Sequence, residues 1–123
     1  MNRRKARGKA VGAPKGKKHV RGREMTPALI SALDHPVRRE ILRLLSGQGT
    51  PVSPVEMTDS IDVGLSGLSY HARILSEQRV TRLSTTRQGR GSTQHFYASE
   101  VAENRMVIAI LAHTEKYDSF LRR

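Results

Sequence analysis

The stretch from Ser53 to Glu77 constrains the fold most, because it predicts two helices separated by a short turn. Ser53 can cap the first helix with Pro54 in its first position, and Glu56 stands three residues after the cap, which is the pattern of a capping box. We expect this short helix to run from Ser53 to Ile61. Asp62-Val63-Gly64 then supplies a turn before the second helix begins.

The second helix, Leu65 to Glu77, is amphipathic with an unusual polar side. Its apolar residues Leu68, Ala72 and Leu75 are spaced by four and three residues, which places them on one face. The other side offers hydroxyls, a phenol and a guanidinium, which are groups that contact base edges or phosphates in a major groove. These predicted DNA-facing residues are Ser66, Gly67, Ser69, Tyr70 and Arg73. The alternative is an ordinary core helix whose polar back faces solvent.

Two further helices are predicted before this stretch. Thr26 and Pro27 start a helix that runs to Leu33, with Leu29 and Ile30 turned inward. The next helix begins at Pro36, runs to about Ser46 and ends at Gly47. Its predicted buried side chains are Val37, Ile41, Leu44 and Leu45, and its predicted outer side chains are Arg38, Arg39, Glu40 and Arg43.

After Glu77 the pattern changes to that of a hairpin. Val80 to Thr86 and Ser92 to Ala98 read as strands around a glycine-rich turn at residues 88–91. Arg87 and Arg90 make the tip basic, so a hairpin directly after a DNA-reading helix would act as a wing, with Arg90 at a minor groove or its phosphates and Arg87 in support. The alternative is an ordinary hairpin with a solvated tip.

The last helix, predicted from Val101 to Leu121, carries a broad apolar stripe that includes Phe120. A chain this small cannot cover so much apolar surface with its own core, so we expect the stripe to pack against a second copy. The predicted dimerisation residues are Met106, Val107, Ile110, Thr114, Tyr117 and Leu121.

The positive charge of the chain is concentrated at its start. The net charge is +11, but residues 1–23 hold ten Lys and Arg and no acid, while the remaining twelve basic residues face eleven acidic ones. Such a segment cannot bury enough apolar surface to fold, so residues 1–24 are predicted to be a disordered basic tail. The tail would attract phosphates without sequence preference, or it is merely solvated.

The sequence argues against an enzyme and against a cofactor. The chain has no cysteine, and its five histidines show no helical metal-binding spacing, so no metal site is predicted. His71 is expected to make a hydrogen bond at the edge of the core. His113 with Glu115 and Asp118 is the one set that could form a metal site between two subunits. No apolar run is long enough to predict a membrane span, and no catalytic motif is present.

These elements predict a mainly α-helical chain with a small β-hairpin, in the order α-α-α-α-β-β-α of a winged helix-turn-helix. The segments ALDHPVRREILRLL (32–45), LSYHARILSEQRVTRL (68–83) and GRGSTQHFYA (89–98) resemble the ArsR-type winged helix-turn-helix transcriptional regulators. The resemblance implies a cytoplasmic, nucleoid-associated homodimer, usually a repressor, that pairs through its first and last helices. Many members sense metal through a cysteine motif, and the matching region Val55 to Ser60 lacks cysteine.

We therefore expect a tail at residues 1–24, a DNA-binding domain at residues 25–99 and a dimerisation helix at residues 100–123. The expected function is sequence-specific binding of double-stranded DNA as a homodimer that regulates transcription, with an effector that the sequence does not identify. One rival is a weakly specific architectural protein of the chromatin type, in which the tail dominates. The other is a protein-interaction domain that binds no DNA.

Overall fold

The computed structural model describes residues 25–123, so the predicted basic tail at residues 1–24 lies outside the described residues. The elements are α1 (Pro27–Leu33), α2 (Pro36–Gln48), α3 (Pro54–Met57), α4 (Leu65–Glu77), β1 (Thr81–Gln88), β2 (Thr93–Ser99) and α5 (Arg105–Asp118), which a 3-10 turn (Ser119–Leu121) extends. The two strands form one antiparallel hairpin after the first four helices. This order confirms the predicted winged helix-turn-helix.

Side-chain caps set the helix starts as the sequence predicts. The hydroxyl of Thr26 accepts a hydrogen bond from the Leu29 amide at 3.1 Å. The capping box of α3 is complete, because the Glu56 amide donates to the Ser53 hydroxyl at 3.2 Å and the Ser53 amide donates to the Glu56 carboxylate at 3.1 Å. The start of α4, at Gly64, has no side-chain cap.

Three predicted helix ends are wrong. Helix α2 continues past Gly47 to Gln48 and stops at Gly49, whose φ of 74° is the left-handed conformation that glycine adopts without strain. Helix α3 is only four residues long and gives way to turns, rather than reaching Ile61. The last helix begins at Arg105 rather than Val101, because the Asn104 side chain accepts from the amides of Met106 and Val107 and so caps the helix there.

One hydrophobic core joins the helices to the base of the hairpin. Fully buried members include Leu29 of α1, Ile41 of α2, Met57 of α3, Leu68 of α4 and Val107 of α5. Burying each such side chain contributes roughly 1.5–3 kcal/mol, before the cost in conformational entropy. Because α5 contributes to the same core, it is packed against the helix-turn-helix and does not stand apart from it.

The inward and outward faces of α1 and α2 differ from the prediction. Ile30 is 54% exposed, and Ala32 lies in the core instead. The charged residues of α2 that were predicted to face solvent do not: Glu40 is buried, and the Arg39 and Arg43 side chains are only 14% and 12% exposed. Their partners lie far along the chain, so helical periodicity could not place them.

The stripe predicted on the last helix divides into two faces. Val107 and Leu121 are buried in the core, and the Thr114 hydroxyl accepts a hydrogen bond from Arg43 at 2.8 Å, so these three residues face the rest of the chain. Ile110 is half-buried against the same core. Met106, Ile108, Tyr117 and Phe120 remain exposed by 47%, 50%, 60% and 69%. The prediction of a single dimerisation stripe is therefore wrong for Val107, Thr114 and Leu121.

The hairpin is anchored at its base and free toward its tip. Val80, Phe96 and Tyr97 are buried, and Val52 pairs with Tyr97 through backbone hydrogen bonds of 2.9 and 3.0 Å. From Arg82 to the end of β1 every side chain is exposed. A register shift between Leu83 and Thr85 lets the strand bend away from the core. Within residues 25–123, no helix combines the length and the apolar character needed to cross a membrane.

Candidate nucleic-acid interface

The exposed side of α4 is the surface that the sequence predicts to face DNA. Ser66, Ser69, Tyr70 and Arg73 are all exposed, while Leu68, Ala72 and Leu75 anchor the opposite side in the core. Helical geometry puts Ser66, Tyr70 and Arg73 along one line. Hydroxyls, a phenol and a guanidinium can all donate hydrogen bonds to base or phosphate oxygens, so this line has the chemistry of a DNA-reading surface.

Gly67, also predicted to face DNA, instead packs against the turn. It is half-buried, and a Cβ atom at this position would meet the Cγ1 atom of Val63 at 3.1 Å. The glycine therefore lets the start of α4 approach the turn closely. Its role in the structure is to set how α4 leaves the turn.

Tyr70 and Arg73 act as a pair on the surface. The Arg73 guanidinium lies 5.5 Å from the centre of the Tyr70 ring, a cation–π distance. Its other contact is a 3.7 Å ion pair with Glu77, in which both side chains are more than half exposed and so weakly bound. The guanidinium is held loosely enough to exchange these contacts for a phosphate or a guanine edge.

The hairpin places its two arginines differently. The Arg87 guanidinium lies 4.8 Å from the centre of the Phe96 ring, so stacking holds it against the strand. Arg90 is exposed in the turn and is followed by Gly91, whose φ of 73° lies in the left-handed region that favours glycine. Arg90 is thus free to reach a partner from the tip, while Arg87 presents a fixed charge below it.

A contact between two imidazole rings, tilted by 48° to each other, joins α4 to the start of α2. The rings of His35 and His71 lie 4.3 Å apart, and the Arg38 side chain donates a hydrogen bond to Nδ1 of His71 at 3.1 Å. This confirms the predicted hydrogen-bonding role of His71. Nδ1 of His35 accepts from the Val37 amide at 3.2 Å and caps α2. Burial, together with the neighbouring His35 and Arg38, lowers the pKa of His71 to about 4. Both rings are neutral near pH 7, and their contact helps to hold α4 against the start of α2.

Because the pKa of His71 is lowered, we expect the protein to lose stability in mild acid. The unfolded His71 takes up a proton near its ordinary pKa of 6.5, whereas the folded one resists until about pH 4. Stability should therefore fall as pH drops from 6.5 toward 4, by roughly 1–2 kcal/mol after allowance for partial exposure. Urea unfolding at several pH values measures the free energy of unfolding. Between pH 6.5 and 5 this free energy should change less steeply with pH in His71→Gln than in the wild-type protein. His95→Gln, which changes an exposed imidazole on β2, should keep the wild-type slope. Equal slopes for all three proteins would contradict the assignment.

A network of ion pairs fixes α2 against α5. The Nε and Nη2 atoms of Arg39 each donate a hydrogen bond of 2.7 Å to the buried carboxylate of Asp118, and Arg43 binds the same carboxylate at 2.9 Å. The hydrogen bond from Arg39 and the nearby Arg43 hold the pKa of Asp118 below its usual value. Arg122 joins Glu40 and Glu115 at 2.8 and 2.6 Å. Sequence reasoning missed this network because its members lie as much as 82 residues apart.

The segment after α5 also contacts the turn that precedes α4. The Asp62 amide donates to the Leu121 carbonyl at 2.6 Å, and the Arg123 amide donates to the Ser60 carbonyl at 3.1 Å. The geometry of the helix-turn-helix thus depends on contacts from both ends of the domain.

The set proposed from sequence as an intersubunit metal site does not come together. Asp118 is buried in its pairs with Arg39 and Arg43, and Glu115 is bound by Arg122. No cluster of three or more metal-ligating side chains occurs in the part of the chain that the structure describes.

Two apolar residues that the sequence reasoning did not single out lie beside the polar surface of α4. Val55 and Leu65 are 46% and 48% exposed and line a groove between α3, the start of α4 and the hairpin. The available signal was the position of Leu65, which stands three residues before Leu68 yet off the centre of the buried stripe.

Comparison with known proteins bears on the helix-turn-helix alone. No curated protein matches the chain. The model of a family described as a helix-turn-helix domain matches residues 33–83, from the last residue of α1 into β1. This stretch of the chain is therefore similar to a helix-turn-helix domain.

Proposed function

We propose that this protein is a sequence-specific regulator of transcription that binds double-stranded DNA as a homodimer and represses from a palindromic site, in the manner of ArsR-type regulators. The observation that carries the proposal is the exposed line Ser66, Tyr70 and Arg73 on a helix whose other side is locked into the core. A rigid helix presenting hydrogen-bonding groups at its N-terminal half is how helix-turn-helix proteins read a major groove. Repression would follow when the bound dimer covers promoter DNA.

The hairpin supports the same proposal. Its exposed strand, free Arg90 and stacked Arg87 form a basic projection next to α4. When α4 lies in a major groove, such a projection can contact phosphates or the adjacent minor groove. The two surfaces together favour binding to a duplex over the rival of a protein-interaction domain.

Dimerisation is supported by the exposed apolar residues on the outer side of α5. Met106 and Tyr117 lie on one line of the helix, separated by eleven residues or about three turns, and Phe120 extends the line into the 3-10 turn. Ile30 on α1 is a further exposed aliphatic side chain. Several exposed apolar side chains on one surface favour binding to a partner that covers them. A second copy of the chain carries the same apolar surface and can therefore serve as that partner.

Selection of bound fragments from a pool of random duplex DNA tests the proposal. A recurring palindrome, still bound in excess random DNA, is the expected result. Enrichment without a shared sequence, and displacement by random DNA, would favour the architectural rival. Binding to no fragment at low salt would favour the protein-interaction rival.

Specificity should depend on Tyr70 and Arg73. Tyr70→Ala or Arg73→Ala should weaken binding to the selected site by about 1–3 kcal/mol and binding to random DNA by less, because a lost base contact matters only at the right sequence. Fluorescence anisotropy on both DNAs measures the difference. Arg82→Ala is the matched control, since its side chain is 58% exposed against 56% for Arg73 but pairs with Glu100 at the foot of the hairpin. Equal losses on both DNAs would make Tyr70 and Arg73 phosphate contacts.

The basic tail should add affinity without adding specificity. Each phosphate neutralised contributes about −0.9 to the slope of log affinity against log salt, and we expect roughly half of the ten charges to act at once. Deleting residues 1–23 should therefore flatten the slope by about 4–5 per tail and lower affinity for specific and random DNA alike. Titrations across a salt series measure both quantities. An unchanged slope would show that the tail takes no part, and a collapse of the specific-to-random ratio would show that it reads sequence.

A further inference from the structure

The groove between α3, the start of α4 and the hairpin has two unlike walls. Val55 and Leu65 form an apolar wall, and Ser92, Thr93 and Gln94 of the hairpin form a polar one. The groove encloses about 240 Å³. Ser69 also lines it, so the groove continues directly into the proposed DNA-reading surface.

The exposure of the two apolar side chains is not required by the core. Leu68, one turn after Leu65, is fully buried, as is Met57 of α3, and Pro54, which precedes Val55, is buried as well. Leu65 is the first residue of α4, where a polar residue would serve the helix equally well. A leucine half exposed at the first position of a recognition helix can gain from apolar contact when DNA binds.

Among the four bases, only thymine presents a methyl group to the major groove. Residues at the N-terminal end of a recognition helix are those that reach base edges. The side chain of Leu65 can form no hydrogen bond. A base amino or carbonyl group packed against it would therefore lose its hydrogen bond to water without gaining one from the protein. The polar wall of the groove also suits a sugar-phosphate strand better than the apolar face of a second copy.

We propose that Leu65, with Val55 beside it, contacts the C5-methyl group of a thymine in each half of the recognised site. The proposal deepens the proposed function and rests on it. It states that the recognised sequence contains a thymine whose methyl group, rather than its hydrogen-bonding edge alone, is read by this chain. The hydroxyls of Ser66 and Ser69 flank the contact and keep the base in register.

Deoxyuridine provides the direct test, because it removes the methyl group and leaves every hydrogen-bonding group of thymine in place. In the site selected by the full chain, each thymine is replaced singly by deoxyuridine and binding is measured by anisotropy. We expect one position in each half-site to lose about three- to fivefold in affinity, the size of one buried methyl group. Leu65→Ala should bind the thymine site more weakly and should no longer distinguish thymine from uracil at that position.

Leu83→Ala is the matched control. Leu83 is 46% exposed, close to the 48% of Leu65, but it lies at the foot of β1 outside the groove. This variant should keep the full thymine preference. Circular dichroism of each variant checks that the fold is retained.

Two results would overturn the assignment of Leu65. One is a selected site in which no thymine can be replaced by uracil with loss of affinity; the other is a thymine preference that survives in Leu65→Ala. Failure of the proposed function is distinguishable from both, because it would appear as the absence of any enriched site, and it would overturn this assignment as well.

Discussion

Asp118→Ala should lower the free energy of unfolding by about 3–5 kcal/mol, the cost of leaving a largely buried charge without its partner. Asp118 is fully buried, and within residues 25–123 its carboxylate is the only acid that forms an ion pair with Arg39. Arg39 also donates a hydrogen bond to the Leu33 carbonyl at 2.9 Å. Arg43 would keep Glu40, the Leu111 carbonyl and Thr114. Urea unfolding measures the change, at one protein concentration throughout because the proposed dimerisation would add to the stability.

Glu115→Ala is the control for this prediction. Glu115 lies on the same helix and also pairs with an arginine, at 2.6 Å, but its side chain is 50% exposed. Because water screens the pair, the loss of stability should be much smaller than that caused by Asp118→Ala. Similar losses for the two variants would show that burial does not govern the strength of these pairs.

Met106→Glu combined with Tyr117→Glu should convert the proposed dimer into a monomer. The two side chains are 47% and 60% exposed and share one line of α5, so the change places charges in the proposed seam without touching the core. A monomer cannot bind both half-sites of a palindrome at once, so its affinity for the palindrome should fall by about 100-fold or more. Its affinity for a single half-site should be retained. Sedimentation velocity and anisotropy measure the two effects.

Ile108→Glu provides the comparison for the dimer prediction. Ile108 is an equally apolar residue of α5, 50% exposed, but it stands two positions from Met106 and therefore on a different side of the helix. This variant should remain dimeric. A dimeric double variant, or a monomeric Ile108→Glu, would place the interface elsewhere.

The sequence by itself determined the elements whose causes are local. Thr26 and the Ser53–Glu56 capping box start two helices through hydrogen bonds to backbone amides within three residues. The spacing of Leu68, Ala72 and Leu75 placed the buried and exposed sides of α4 correctly, and the bounds predicted for that helix match the structure. The glycine-rich turn between two segments with the composition of β-strands, Val80 to Thr86 and Ser92 to Ala98, predicted the hairpin. Each of these signals acts over a few residues, so periodicity and turn chemistry are sufficient to read it.

Only the tertiary structure decided which charged and apolar side chains are covered. Glu40 and Arg43 look like surface residues in the sequence, but Asp118 and Arg122, brought in from the far end of the domain, give them partners that make burial possible. Val107 and Met106 are equally apolar neighbours, yet one lies in the core and the other in solvent, because α2 covers a single side of α5. Gly67 likewise packs on Val63 rather than facing outward. Burial depends on what lies across from a residue in space, and neighbours along the chain do not specify that.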